Sequence, residues 1–492
     1  MNKTGLSPFD ARPDPLQCPD TACKLDRATR SLAACPELSL GAKRHATHVD
    51  SPSHPSVSWK ALFRVPGFRY FFAGMLISLF GTGMNFAGVT WYILGATNST
   101  VKVSLIVILV TLPGLVVPLF GGVLIDRVDR RYLAVALDLG RGAIVLSTAA
   151  LAFFGHIEPW HVYLMVLLLG MGFSVYWSTA NALVQEVIPQ RQLVGANAAV
   201  LIAVQGGMMI AGAFVGFIYE RAGLAGILAT DGATYLASAF CLVRLRRGYF
   251  PPSRIREARP EVPPPTIEAP PEVVEPAVIP PIVEPAVGVG MLAEMKEGLR
   301  YLRTQPRVLA LGLTFACMMA GVLSGNVLVV ALARDLLHAG PRGYGLLESG
   351  WAVGAIVGGF AAGALAPHRP MTVLILALAV LSVGHVMFPY THLLAVAVIM
   401  NGLFGGCRAL GGVLTQSSIM GIVPRRLMGR TQSAFSVIST LLQVGMSFSL
   451  GWLAQHINLK VAFLMLGILY GTAVVAATRA RALSRVPWPG AA

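Results

Sequence analysis

Apolar runs of about twenty residues, each closed by a short polar turn, dominate the chain from residue 68 onward. A run of that length crosses the hydrocarbon core of a bilayer as one α-helix. The pattern predicts spans at 68–93, 103–121, 132–154, 161–184, 195–218 and 225–243. After a long interruption it predicts six more, at 308–333, 345–366, 371–388, 392–416, 430–453 and 461–479. Residues 1–58 mix Pro, Ser, Ala and charge without a sustained period and read as a disordered cytoplasmic tail. MNKTGLSPFD leads into no apolar h-region, so the first span is expected to direct insertion.

The interruption divides the chain into an N-terminal bundle over 59–243 and a C-terminal bundle over 308–479, followed by a cytoplasmic tail at 480–492. Residues 244–289 are dominated by Pro, Glu and Val; proline removes backbone donors and favours polyproline II, so an extended cytoplasmic linker is expected. Residues 290–307 read as an amphipathic cytoplasmic helix, with Leu299 and Leu302 toward lipid and Lys296, Arg300, Arg303 and Arg307 near anionic headgroups.

The two halves repeat. EVIPQRQLVGANAAV, from Glu186, matches GIVPRRLMGRTQSAF, from Gly421: a proline ends one span, bases cross the turn and a glycine opens the next. The expected fold is therefore all-α, with twelve transmembrane helices in two six-helix bundles related by a pseudo-two-fold axis. Parallel repeats of this kind suit a two-lobed transporter.

Charge orients the molecule. Alternate turns hold Arg127, Arg130 and Arg131, then Arg191, then Arg244, Arg246 and Arg247, then Arg369, then Arg425, Arg426 and Arg430. The other turns hold little beyond Lys102, Arg221, Arg334, Arg342 and Lys460. The positive-inside rule then places both termini in the cytoplasm, in a multi-pass protein of the cell inner membrane. It also accounts for the net charge of +15, so no nucleic-acid partner is expected. Only 12% of residues are charged and mean hydropathy is +0.67, against about 25% charged in soluble domains. The six cysteines show neither zinc spacing nor a disulfide framework, and neither metal nor cofactor is expected. There is no nucleotide-binding P-loop, and no convergent nucleophile and base to suggest an enzyme.

Between the second and third spans lies GGVLIDRVDRR. Gly121 and Gly122 permit close helix approach, and Asp126 opens a turn closed by Arg130 and Arg131. Such a turn can act as a clasp between lobes, a carboxylate accepting at a helix N-terminus while arginines hold an acid or lipid phosphate. Ordinary positive-inside charge covers the arginines alone. The stretch resembles the signature between the second and third helices of the major facilitator superfamily: Gly122, Asp126, Arg127, Arg130 and Arg131 match, and Asp129 stands where a second glycine is common. The resemblance runs from about residue 60 to 480 and implies a gating role for those five residues. Within the superfamily, VALDLGRG, NALVQEVIPQRQLVGANA, TDGATYLASA and ALARDLLHAGPRGYGLLESGWAVGAIVGG resemble bacterial exporters of the macrolide and enterobactin type. Two departures stand out. QGGMMIAGAFVGFIYE in the fifth span lacks the Gly-Pro pair common in exporters, and the second half's turn, FAAGALAPHRP, has lost the acid and keeps His368 and Arg369.

Charges inside spans narrow the search for a site. Asp138 and Arg141 are three apart, on one helical face near mid-membrane, and form either a structural pair or a substrate or proton site. Asp231 lines the vestibule or caps a helix. Arg408, in GLFGGCRALGG, is the anion-binding candidate of the second half, or else pairs with an acid such as Glu348. Asn85, Gln205, Asn326, Asn401, Gln416 and Gln443 are either interhelical hydrogen-bonders or cavity contacts. The first span has no acid, so proton carriage would fall to Asp138, Asp231 or Glu348.

The function implied is secondary active transport, a monomer exporting a bulky or amphipathic organic solute by alternating access, driven by a proton or other ion gradient. Lipid or lysophospholipid transport is the alternative, with metal-ion export behind it. Partners are the small-molecule substrate and membrane lipids.

Overall fold

The computed structural model describes residues 59–117, 128–188, 192–245, 300–365 and 369–484. The tail at 1–58, nearly all of the 244–289 linker, most of the 290–307 segment and residues 485–492 lie outside them, as do Gly122, Asp126 and Arg127.

The described chain is helical from end to end. A lead-in helix α1 (Trp59–Arg64) precedes α2 (Pro66–Thr97), α3 (Thr100–Thr111), α4 (Arg130–Phe153), α5 (Pro159–Val187) and α6 (Leu193–Arg244). The second half holds α7 (Pro306–Ala331), α8 (Gly340–Leu365), α9 (Pro370–Met387), α10 (Leu394–Ile422), α11 (Arg425–His456) and α12 (Leu459–Leu483). Among the described residues, eleven helices are long and apolar enough to cross a membrane, counting α3 through to Val117. The protein is an all-α, multi-pass membrane protein.

Local chemistry sets the ends. Proline opens α2, α5, α7 and α9, where a missing N–H costs nothing. Asn98, at φ 48°, ends α2 in the left-handed conformation, and the Ser99 hydroxyl accepts from Lys102 N to start α3. Asp129 is the N-cap of α4, its carboxylate accepting from the backbone N–H groups of Arg131 and Tyr132. An acid thus replaces the motif's second glycine because it caps the next helix. The 52 residues of α6 are broken at Gly223, which sits at φ 58° and ψ −157°. An unbroken helix of that length would reach about 78 Å, more than twice the hydrocarbon thickness.

The helices pack as two lobes. In the first, α2 and α4 lie against α6, and α4 against α5; in the second, α7 lies against α11 and α12, α8 against α10, and α9 against α12. The lobes meet along α6 with α8 and along α3 with α11. The α6–α8 seam is glycine-tight: a Cβ on Gly212 would lie 2.6 Å from Ser349 N, and one on Gly216 would lie 2.7 Å from Arg342 N. Small residues at such seams let backbones approach.

Leu302, expected to face lipid, is instead fully buried with Val308, Leu311 and Phe435. The short turn between Thr304 and Pro306 folds its helix back onto the second lobe, where those side chains outcompete lipid as a packing surface.

Candidate functional site

Between the lobes lies a cavity of about 280 Å³, lined by α2, α3, α5 and α6 from one side and α7 and α8 from the other. Its size is at the lower edge of organic-ligand sites, roughly 300–1,000 Å³. The wall is mostly apolar, with Phe86, Phe173 and Trp351 as aromatic faces and Thr82, Asn85, Tyr235, Asn326 and Glu348 as polar points. Three sequence candidates, Asn85, Asn326 and Glu348, therefore lie in one cavity.

Behind the first lobe's wall, the charges are bonded to one another. Arg141 Nη2 donates to Asp138 Oδ1, and both residues are buried. The Ser238 hydroxyl donates to Asp138 Oδ2 at 2.7 Å. The Arg141 guanidinium sits over the rings of Tyr176 and Tyr235, 4.2 and 4.6 Å from their centroids, which attracts it through the ring quadrupoles. Asp231 Oδ2 accepts from Asn85 Nδ2 at 2.6 Å, and the Tyr235 hydroxyl lies 3.1 Å from Thr82 Oγ1. Asn85, Thr82 and Tyr235 line the cavity, so Asp231 and the Asp138–Arg141 pair stand one side chain behind it. Tyr235 and Ser238 were not singled out from the sequence, yet Asp231, Tyr235 and Ser238 follow an i, i+4, i+7 spacing that puts them on one face.

The second lobe differs. Glu348 Oε1 is buried without a hydrogen-bond partner. The Tyr344 hydroxyl lies beside it, short of bonding geometry, while the Tyr344 ring stacks on Trp91 of the first lobe at 5.9 Å. Arg408 does not pair with Glu348. On the α8–α10 seam Gly354 faces Gly402 and Gly358 faces Gly406. Gly402 also meets Gly350 O and Gly406 also meets Gly354 O, so Arg408 stands level with about residue 358, about 15 Å along α8 from Glu348 at about 1.5 Å per residue. Instead Arg408 Nη2 donates to Met319 Sδ at 3.3 Å, its Nε is buried without a partner, and it faces a chamber of about 30 Å³. Val322, Asn326 and Trp351 line both chamber and cavity.

Three of the remaining amides bond to neighbouring helices. Asn401 Nδ2 donates to Leu347 O at 2.7 Å, and Gln443 Nε2 to Thr111 Oγ1 at 2.6 Å, the latter across the lobes. Gln416 Nε2 lies 3.5 Å from Gln432 Oε1, away from the cavity lining.

The bundle's two ends carry different bonds. At the end bearing α1 and the start of α4, Arg130 pairs with Glu186, and Arg131 donates to Leu242 O at 2.9 Å and to Val243 O at 2.7 Å. These partners belong to the first lobe. At the far end the lobes are tied together. Gln455 Oε1 accepts from Ser99 Oγ and, at 3.2 Å, from Val101 N; Thr100 Oγ1 donates to Gly451 O at 2.7 Å. Arg334 Nη1 donates to Leu94 O at 2.6 Å and Asn98 Oδ1 at 3.1 Å, and Arg342 pairs with Glu220 at 2.6 Å. The far end is closed.

Known proteins share this architecture. Macrolide efflux protein A of Streptococcus pyogenes is 22% identical over 322 residues, 65% of this chain and 70% of that protein. The MFS-type transporter YfiS of Bacillus subtilis is 23% identical over 389 residues, 75% and 82% of the two chains. The crystal structure of the nucleoside transporter NupG superposes with a TM-score of 0.60 at 12% identity, over 85% of this chain and 99% of its own. A bacterial homologue of the iron transporter ferroportin, in an inward-facing state, gives 0.60 at 16% identity over 86% and 100%. At those identities the structures share the fold alone. Residues 70–450 match the family model itself, and the chain belongs to the Major Facilitator Superfamily.

Proposed function

We propose that this secondary transporter exports a bulky or amphipathic organic solute by alternating access, with a proton gradient as the driving force. The carrying observation is the cavity shared by both lobes beneath a bonded far end. A mostly apolar, aromatic wall with few polar points suits an amphipathic solute, and the likeness to a macrolide efflux protein supports export of a large organic molecule. In this reading α6 crosses twice, breaking at Gly223, so that twelve crossings form two bundles of six. Both termini lie in the cytoplasm of an inner-membrane monomer. The turn containing Gly122, Asp126, Arg127, Arg130 and Arg131 gates the cytoplasmic side.

Counterflow in proteoliposomes, with macrolides, siderophores and lysolipids and with or without a proton gradient, tests this. Saturable, gradient-sensitive exchange of a macrolide or siderophore supports it; no exchange of either refutes it. D138N, D231N and E348Q then test coupling, since intact gradient-driven uptake in all three rejects these carboxylates as proton carriers. A groove of about 710 Å³ between α7, α9 and α12, with Arg479 at one end, supports a second reading in which the solute is a lipid. Exchange of lysolipids alone would select it.

A further inference from the structure

Arg408 is a half-buried cation with no counter-charge among the described residues. Among the described residues no carboxylate lies within 4.0 Å of it, and its one hydrogen bond goes to the Met319 thioether, a weak acceptor. Its Nε–H is buried and unbonded. An arginine inside a membrane bundle is costly unless it meets an anion or water, and here Nε and Nη2 are the two donors of one guanidinium edge, spaced for both oxygens of a carboxylate.

The chamber that Arg408 lines is small and shaped. Its volume is about 30 Å³, room for one or two waters and too little for a phosphate ester. The His385 ring, sandwiched between Phe404 at 4.2 Å and Tyr470 at 5.0 Å, walls it. His385 Nδ1 is bonded to Leu381 O and Asn401 to Leu347 O, so both are fixed in place by neighbours. Asn326 and Trp351 stand between the chamber and the central cavity and line both.

We propose that the Arg408 chamber is an anion subsite of the central cavity that receives a carboxylate carried on the transported solute. This rests on the preceding reading only in taking the central cavity as the solute site. A solute bound there projects its carboxylate past Trp351 and Asn326 onto the guanidinium edge, while its apolar body stays against the aromatic wall.

The test is an equilibrium titration of the full chain in nanodiscs, in a Tris–HEPES buffer free of carboxylates, with sodium benzoate in one arm and sodium chloride in the other. Tryptophan fluorescence and the melting temperature are read. Benzoate is expected to quench saturably and raise the melting temperature; R408Q abolishes both effects, and R408K, which keeps charge but loses the fork, weakens binding roughly tenfold. Saturation by chloride alone overturns the carboxylate assignment, as does an R408Q response equal to wild type. Where R408Q does not fold, the wild-type titration and R408K decide, and an absence of saturable benzoate binding in wild type rejects the subsite. In the wild type, no saturable benzoate binding beside intact solute counterflow rejects the subsite alone, whereas no counterflow of any solute beside saturable benzoate binding rejects the transporter reading.

Discussion

Removing the far-end ties should open the bundle there. The double variant R334A/Q455A deletes two donations from Arg334, to Leu94 O and Asn98 Oδ1, and two acceptances by Gln455, from Ser99 and Val101. Four inter-lobe bonds at about 0.5–1.5 kcal/mol each give about 2–6 kcal/mol. The low end applies, because the Arg334 side chain is 26% exposed and water replaces part of what is lost. A shift of about 2 kcal/mol moves an open–closed equilibrium roughly 30-fold, so a closed preference of about 100 to 1 would fall to about 3 to 1. Spin labels at H156C and H392C, exposed positions at the far ends of the two lobes in a background without native cysteines, report this by pulsed electron resonance. A second, longer distance holding about a quarter of the population is expected. If the distribution in the double variant matches the parent, these bonds do not set the equilibrium and the argument from far-end closure fails.

Three further outcomes follow from packing and charge. G216V places a branched side chain where even a Cβ would lie 2.7 Å from Arg342 N, so the same labels should show a longer far-end distance while the melting temperature holds. G354L pushes into the Gly402 backbone carbonyl, which cannot rotate away; a loss in the upper part of about 1–3 kcal/mol lowers the melting temperature by several degrees, whereas G359A, with open space around it, leaves it unchanged. R141M strands the buried Asp138 carboxylate and costs about 3–5 kcal/mol in thermal unfolding, and D138N/R141M recovers most of that. An R141M protein as stable as wild type would refute the pair's structural role.

Much of this architecture was legible before any coordinates. Apolar run length located the spans, although the fifth and sixth run together as α6, and most observed helices start a few residues before the expected ones because caps such as Ser99 and Asp129, and first-turn prolines such as Pro306, are polar or neutral in hydropathy but helical in effect. The pairing of Asp138 with Arg141 was legible as one of two options, since a three-residue spacing fixes a shared face but not what approaches it. Tyr176 was not, because it reaches Arg141 from another helix, and tertiary approach leaves no trace in spacing. The separation of Arg408 from Glu348 was equally hidden: it depends on the register of α8 against α10, which backbone contacts between Gly354 and Gly402 determine.

The two lobes spend their buried charge differently, and the difference points to a division of labour. In the first lobe Asp138 pairs with Arg141 and accepts from Ser238, and Asp231 accepts from Asn85, so moving any one of the three charges strands a buried partner. Such a network resists rearrangement and holds the lobe together as it rocks. In the second lobe, Glu348 Oε1 and Arg408 Nε are buried without partners, and each residue borders a cavity. Unpaired charge in a membrane interior is sustained only where a ligand, water or a second conformation supplies the missing partner. Selectivity should therefore respond more to substitutions at Glu348 and Arg408 than at Asp138 and Arg141, whose replacement acts first on stability. Comparing solute affinity with melting temperature across these four positions separates the two roles: affinity changes without melting changes belong to the second lobe, and the reverse pattern at Arg408 would place it with the scaffold.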